Sequence, residues 1–307
     1  MRIAIIGRTE ILIKAAERLL DQGHTIPLVI TSKEAPEYTK STADFERLAR
    51  ASKAEFIQTP RIVEVLGAIQ RLSPIDIGVS MNYTGMIPQD IIDLFPHGIL
   101  NAHGGDLPRY RGNACQAWAI LNGEERIGLC IHKMIGDELD CGDIIAKEYL
   151  AIDRDTKVTK CWEWMTNRIP PLFLESVEKL EQDSGYVLEQ QSSNPRKALR
   201  CYPRKPEDGR IDWSKSNLEI LRLINASNKP YSGAFCEFEG QKMIIWDAEL
   251  VDDEETFCAV PGQVTLVGEP SVEVACNQGK LWLKEVEVAG TSGNPSRWLK
   301  SIRKRLQ

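Results

Sequence analysis

The sequence lacks the cysteine pairs and the long apolar runs that would place it in several common classes of protein. Its eight cysteines include no Cys-x-x-Cys pair and do not cluster with its four histidines. We therefore expect reduced thiols, with neither disulfides nor a structural metal. No apolar run approaches the roughly 20 residues that span a bilayer, and the run from Met1 to Gly7 is too short for a signal peptide. We expect a cytoplasmic protein without a membrane partner.

The sequence also lacks an excess of positive charge. The formal net charge is −6, which argues against nonspecific nucleic-acid binding because that binding depends on neutralising phosphates with Lys and Arg. Between Lys205 and Pro295 there are 8 basic and 16 acidic residues. The basic residues near the C-terminus are predicted to form a solvated helical tail: Arg297, Lys300, Arg303, Lys304 and Arg305.

Apolar runs that alternate with helically spaced segments occupy the first half of the chain. They begin at Arg2–Gly7 and continue through Ile75–Ser80, which predicts an α/β domain with a Rossmann-like, mostly parallel sheet. The turn after Gly7 lacks a Gly-x-Gly-x-x-Gly motif, so we do not expect a nicotinamide dinucleotide. Ligands of such sheets bind beyond the carboxyl ends of the strands.

The second half follows a different pattern. Residues 184–210 show little periodicity and are predicted to be a connector. Ser216 and Glu219 form a capping box before a helix, and a hairpin about Glu239–Gly240 opens a series of short strands. We predict a catalytic domain at 1–183 and a smaller, mostly antiparallel, β-barrel-like domain at 211–307.

Asn101 and His103 follow the apolar run that begins at Gly98. Side chains two apart on a strand project from the same face, so both can address one substrate atom. An imidazole can take a proton, an amide NH₂ can hold a developing oxyanion, and a carboxylate such as Asp140 can orient the imidazole. These parts suit acyl transfer to an amine. A histidine at a strand end is also a common structural residue.

Three motifs in this order and spacing resemble the formyltetrahydrofolate-dependent formyltransferase family. They are Asn101-Ala102-His103, Leu107-Pro108-Arg109-Tyr110-Arg111-Gly112 and Leu139-Asp140-Cys141-Gly142-Asp143-Ile144. The resemblance implies N10-formyltetrahydrofolate as formyl donor, no metal, and Asn101, His103 and Asp140 as catalytic residues. It further implies that folate binds at Gly85, Met86, Ile87, Asn113, Gly136, Asp137, Glu138 and Leu139.

The sequence departs from the family pattern in the same region. The usual Ser and Leu after the histidine are Gly105 and Asp106, and Asn113 stands where a related amino-sugar enzyme has Arg. Asp106 is interpreted either as a contact to a polar acceptor or as a solvated turn residue. His132 alternates with apolar neighbours and is interpreted as structural.

The amine acceptor is predicted from the resemblance together with the charge pattern. The loop from Ser32 to Lys40 has no basic cluster of the kind that serves tRNA in methionyl-tRNA formyltransferases, and His103-Gly104 is more similar to the sugar enzymes. We therefore expect a nucleotide-linked amino sugar, with methionyl-tRNA as the alternative. A formyltetrahydrofolate hydrolase and a non-catalytic binding module remain open, as does a homodimer.

Overall fold

The computed structural model describes all residues from Met1 to Gln307. The first part of the chain forms, in order, β1 (Arg2–Gly7), α1 (Glu10–Asp21), β2 (Thr25–Thr31), α2 (Thr42–Ser52), β3 (Glu55–Gln58), α3 (Leu66–Leu72), β4 (Ile77–Met81), α4 (Gln89–Ile92), β5 (Ile99–His103), β6 (Arg111–Gly112), α5 (Cys115–Asn122), β7 (Arg126–Lys133), β8 (Ile144–Ala151), α6 (Val158–Gln182) and β9 (Arg200–Cys201). The rest forms α7 (Asn217–Ala226), β10 (Ala234–Phe238), β11 (Gln241–Leu250), β12 (Val264–Val267), β13 (Val272–Ala275), β14 (Lys280–Val288) and β15 (Thr291–Gly293). None of the helices is both long and apolar enough to cross a membrane.

The chain divides into two compact units. The first comprises residues 1–115, 127–150 and 162–201, and the second comprises residues 116–126, 151–161 and 202–307. Each unit has its own sheet and its own apolar core.

The first unit contains a seven-stranded sheet in the order β3-β2-β1-β4-β5-β7-β8. The strands from β3 to β5 pair in parallel, whereas β5 and β7 pair antiparallel. The predicted α/β fold with a Rossmann-like, mostly parallel sheet is therefore confirmed. The carboxyl ends of β1, β4 and β5 meet at one edge of this sheet, where ligands of such folds bind.

Both faces of this sheet are buried, which explains the continuous apolar runs. Ile3 and Ile5 of β1 pack into one core with residues of α1, α2 and α6, while Ala4 and Ile6 pack into the core on the opposite face. Alternate residues of a strand point to opposite faces, so a strand covered on both sides must be apolar throughout.

The second unit contains an antiparallel sheet in the order β10-β11-β14-β13-β12, with β15 added to β14. The predicted antiparallel C-terminal fold is confirmed. Its helix, α7, begins with the predicted capping box between Ser216 and Glu219. Because this box satisfies backbone N–H groups that have no partner within the helix, a purely local signal fixed the start of α7.

The C-terminal segment lies along both edges of this antiparallel sheet. Gln307 exchanges backbone hydrogen bonds with Glu237 of β10, and the Lys304 carbonyl accepts one from Val264 of β12. These bonds satisfy edge groups that would otherwise be exposed to pairing with other chains. The predicted helical tail was wrong, because the segment is held by backbone bonds to the two edge strands and forms turns instead.

Candidate functional site

The strand β5 presents Asn101 and His103 on one face of the first sheet. Leu100 and Ala102, which alternate with them, are buried in the apolar core on the other face. The alternation therefore directs the two polar side chains together, away from that core, at the carboxyl end of the strand.

His103 has a hydrogen-bond acceptor at each ring nitrogen. Nε2 lies 2.6 Å from the Tyr110 carbonyl oxygen, and Nδ1 lies 3.4 Å from Oδ2 of Asp140. The imidazole is only 7% exposed. Since the carbonyl can only accept, Nε2–H donates to it. A doubly protonated ring would have a partner for both of its N–H groups.

Asp140 lies beside groups from three parts of the chain, His103, Gly112 and His132. Its Oδ2 accepts a hydrogen bond of 2.8 Å from the Gly112 N–H, and its Oδ1 lies 3.5 Å from Nε2 of His132. Burial by itself would raise the pKa of the Asp140 carboxyl, but His103, His132 and the Gly112 N–H together lower it below its ordinary value. The residue is therefore a stable anion at the centre of the cluster.

His132 belongs to the same cluster, although its sequence context suggested a structural role. It lies directly opposite Asn101 in the β5–β7 pair, with Asn101 Nδ2 3.2 Å from His132 Nε2. Its Nδ1 lies 2.8 Å from the Lys133 carbonyl oxygen. In the neutral ring Nδ1–H donates to that carbonyl, so Nε2 accepts from the Asn101 amide. The strand register brings these residues together.

The loop after His103 packs tightly around the imidazole. A Cβ atom added at Gly105 would lie 2.6 Å from His103 Nε2 and 2.3 Å from the Tyr110 oxygen. Tyr110 itself has a left-handed backbone with a φ of 57°, which directs its carbonyl at the ring. Glycine at 105, where the family pattern has serine, is therefore required by this close approach.

A buried cysteine also contacts this carbonyl. The Cys115 thiol donates to the Tyr110 oxygen at 2.9 Å and lies 3.8 Å from His103 Nε2. A hydrogen bond with Cys201 and burial raise the pKa of the Cys115 thiol. It therefore remains a neutral hydrogen-bond donor beside the histidine.

Two of the predicted folate-binding stretches meet in space. The Gly136 N–H donates to Oε1 of Gln89 at 2.8 Å, and Gln89 is the first residue of the helix that follows Ile87. Met86 is 52% exposed, whereas Ile87 is 2% exposed and packs in the core. The side chain of Ile87 is therefore part of the core and is not available to a ligand.

The predicted folate positions from Asp137 to Leu139 continue along the loop that begins at Gly136, whereas Asn113 follows β6. A Cβ atom added at Gly112 would lie 3.4 Å from Leu139, which places Leu139 beside the segment that holds Asp140. Like Met86, the predicted positions Asp137, Glu138 and Asn113 have exposed side chains.

Asp106 has partners within the protein. Its carboxylate accepts a hydrogen bond of 3.0 Å from the Tyr149 hydroxyl and lies 3.7 Å from Nζ of Lys147. Lys147 also donates to the Leu107 carbonyl at 2.8 Å. These contacts hold the turn, as expected of a turn residue.

No group of three or more His, Cys, Asp and Glu side chains is arranged to hold a metal ion. The cluster of Asn101, His103, Asp140 and His132 instead combines an amide, an anion and two imidazoles. Such a set can stabilise an oxyanion and move a proton.

The family comparison covers most of the chain. Residues 1–169 match the formyl transferase family, and residues 204–303 match the formyl transferase C-terminal domain. The methionyl-tRNA formyltransferase of Acetivibrio thermocellus is 31% identical over 294 residues, which is 94% of this chain and 92% of that protein. The methionyl-tRNA formyltransferase of Alkaliphilus oremlandii is 30% identical over 297 residues, or 94% of this chain and 93% of that protein.

Solved structures share the fold at lower sequence identity. WlaRD, a sugar 3N-formyl transferase, superposes with a TM-score of 0.69 at 19% identity, covering 95% of this chain and 98% of WlaRD. HypX from Aquifex aeolicus in complex with tetrahydrofolic acid gives a TM-score of 0.62 at 18% identity, covering 98% of this chain and 47% of HypX.

Proposed function

The chain belongs to the formyl transferase family of enzymes, and we propose that it transfers the formyl group of N10-formyltetrahydrofolate to a primary amine. The observation that carries this proposal is the cluster in which Asp140 lies 3.4 Å from His103, with Asn101 two residues away on the same strand face. We place the folate site beside it, where the loop with the exposed Met86 meets the loop that begins at Gly136.

The Asn101 amide is proposed to stabilise the oxyanion that forms when the amine attacks the formyl carbon. One of its N–H bonds is directed at His132, and the second remains for the formyl oxygen. A donor of this kind contributes roughly 3 to 4 kcal/mol in other enzymes. We expect Asn101→Ala to reduce kcat by about 100- to 1000-fold.

His103 is proposed to take the proton from the attacking amine at Nδ1, because Nε2 already carries the hydrogen donated to the Tyr110 carbonyl, and to deliver it to the departing folate nitrogen. The imidazolium that forms between these two steps has the Asp140 carboxylate at Nδ1 and the Tyr110 carbonyl at Nε2. Asp140 thereby stabilises the cation without taking the proton itself.

We propose methionyl-tRNA as the acceptor that the comparisons support better, since the curated relatives quoted above act on it. A run of exposed basic residues in the C-terminal segment supports the same proposal. Four exposed basic residues without an ion pair lie in the C-terminal segment of the second unit: Arg297, Lys300, Arg303 and Arg305. We call these four residues together the basic face. Such a surface suits the phosphates of an RNA even on an acidic protein.

A nucleotide-linked amino sugar is the second candidate, and the charge pattern favours it. Residues 205–295 contain twice as many acidic as basic residues. The loop after β2 folds against the protein, with Tyr38 stacked on Trp162 at 6.2 Å and the Arg8 guanidinium 5.5 Å from the Tyr38 ring. A small acceptor can bind without an extended basic surface.

Mass spectrometry of both acceptors tests the proposal. Methionyl-tRNA and a panel of nucleotide-linked amino sugars are incubated separately with formyltetrahydrofolate and enzyme. The product is expected to gain one formyl group in place of one hydrogen atom. The variant His103→Ala is expected to abolish this gain. Formate release without any acceptor would support the hydrolase instead, and folate binding without turnover would support a binding module.

A further inference from the structure

The connector is bonded to both segments that hold Asp140. Glu189 exchanges two backbone hydrogen bonds of 2.9 Å with Ile144, just after the Asp140 loop. The Leu199 carbonyl accepts from the Arg111 N–H at 2.8 Å, and β9 pairs with β6. The segment between Glu189 and Leu199 therefore starts and ends beside the catalytic cluster.

The Gln191 side chain lies within this segment and uses its whole amide. Its Nε2 donates to the Asp140 carbonyl at 2.9 Å and to the Gly142 carbonyl at 2.7 Å. Its Oε1 accepts from the Arg111 guanidinium at 2.7 Å. Because both N–H bonds of Nε2 are engaged, neither is left to bind a substrate.

The backbone that Gln191 holds is strained. Asp140 has a φ of 51°, which lies in the left-handed region that L-residues seldom adopt. Such a conformation persists only where the surrounding structure enforces it. At Gly142 the loop lies against β7, since an added Cβ atom would be 1.8 Å from the Lys133 oxygen. Gln191 binds the carbonyls on both sides of Cys141.

We propose that Gln191 is a positioning residue, which keeps the Asp140 loop in the conformation that directs its carboxylate at His103. This inference rests on the proposed function only in its expected effect on kcat. The hydrogen bonds that carry it connect Gln191 to backbone oxygens, and the effect on chemistry passes through Asp140.

Two variants and one control test the inference. Gln191→Ala removes the side chain, and Gln191→Glu keeps its length but replaces both N–H donors with an oxygen facing two carbonyls. The control is Gln190→Ala, because Gln190 is the exposed neighbour. Both Gln191 variants are expected to lower kcat about 10- to 100-fold, as outer partners of catalytic groups do, with KM for both substrates nearly unchanged. Gln190→Ala should match the wild type.

A second measurement does not depend on turnover. Hydrogen exchange of peptides covering residues 135–143 should be faster in Gln191→Ala than in the wild type or Gln190→Ala. In an Asp140→Asn background, Gln191→Ala should cause little further loss of kcat. An equal loss in both backgrounds, or a change confined to KM, would overturn the inference, as would unchanged exchange. If the wild type formylates no amine while exchange still changes, the proposed function fails and the positioning role stands.

Discussion

Asn101 and His132 face each other across the β5–β7 pair, with the amide nitrogen 3.2 Å from Nε2 of the imidazole. This contact orients the amide that we propose to bind the oxyanion. His132→Phe removes the acceptor and also one partner of Asp140. We expect kcat to fall about 10- to 100-fold while folate affinity stays near the wild-type value.

The matched control for that experiment is His132→Gln, whose side-chain oxygen can still accept from Asn101. It should recover part of the lost kcat. Equal kcat in the wild type and His132→Phe would contradict a role for His132 in the site. Thermal unfolding of each variant separates a change in catalysis from a loss of folded protein.

Gly105 should not tolerate even one added methyl group. The Cβ atom of Gly105→Ala would collide with the Tyr110 oxygen and with His103 Nε2, so the ring must move. A displacement of about 1 Å at a catalytic group can cost about 100-fold in rate, and we expect a loss of this size in kcat. Gly67→Ala is the control, because an added Cβ there meets nothing within 4 Å.

The Asp140 carboxylate should stabilise the fold at neutral pH and lose that effect in acid. An unfolded aspartate has a pKa of about 3.9, and the pKa of Asp140 is lowered in the folded protein. The unfolded state then binds more protons, so the contribution is complete above about pH 4 and disappears as the pH falls through the folded pKa.

Asp140→Asn is therefore expected to lower the free energy of unfolding by about 2 kcal/mol near neutral pH. Urea unfolding of the wild type and the variant measures this difference across the acid range. The difference should shrink below about pH 4. A difference that grows in acid would show that Asp140 is not stabilised as the anion.

Charge reversal in the basic face should affect KM differently for the two acceptors. Reversing the charge of Arg303 and Arg305 to Glu should raise KM for methionyl-tRNA and flatten its dependence on salt, because fewer phosphates are neutralised. KM for an amino sugar should not change. The charge-matched control is the double reversal Lys14→Glu and Arg18→Glu, at two exposed positions of α1. If both changes had equal effects on KM, the basic face would not be a binding surface for the acceptor.

Local signals made much of the fold predictable. The predicted capping box at Ser216–Glu219 marks a real helix start, because it involves residues only three apart. The hairpin at Glu239–Gly240 also forms. Both of its turn residues have positive φ, which fits the turns that join paired strands.

The features that the sequence did not reveal depend on distant partners. His132 enters the site through the register of β5 and β7, and Gln191 acts through loops about fifty residues before it. Neither contact produces a periodic pattern of apolar residues in the sequence. The C-terminal segment was predicted to be a helix because its basic residues suggested a solvated tail, but hydrogen bonds to two edge strands determine its structure.

The division of the chain between its two units limits how the protein can be recombined with relatives. The second unit takes residues 116–126 and 151–161 from within the first half of the sequence, in addition to residues 202–307. A chimera joined at residue 202 would therefore combine a C-terminal half from one parent with two internal segments from another. Domain exchange that preserves parental contacts must transplant all three segments together.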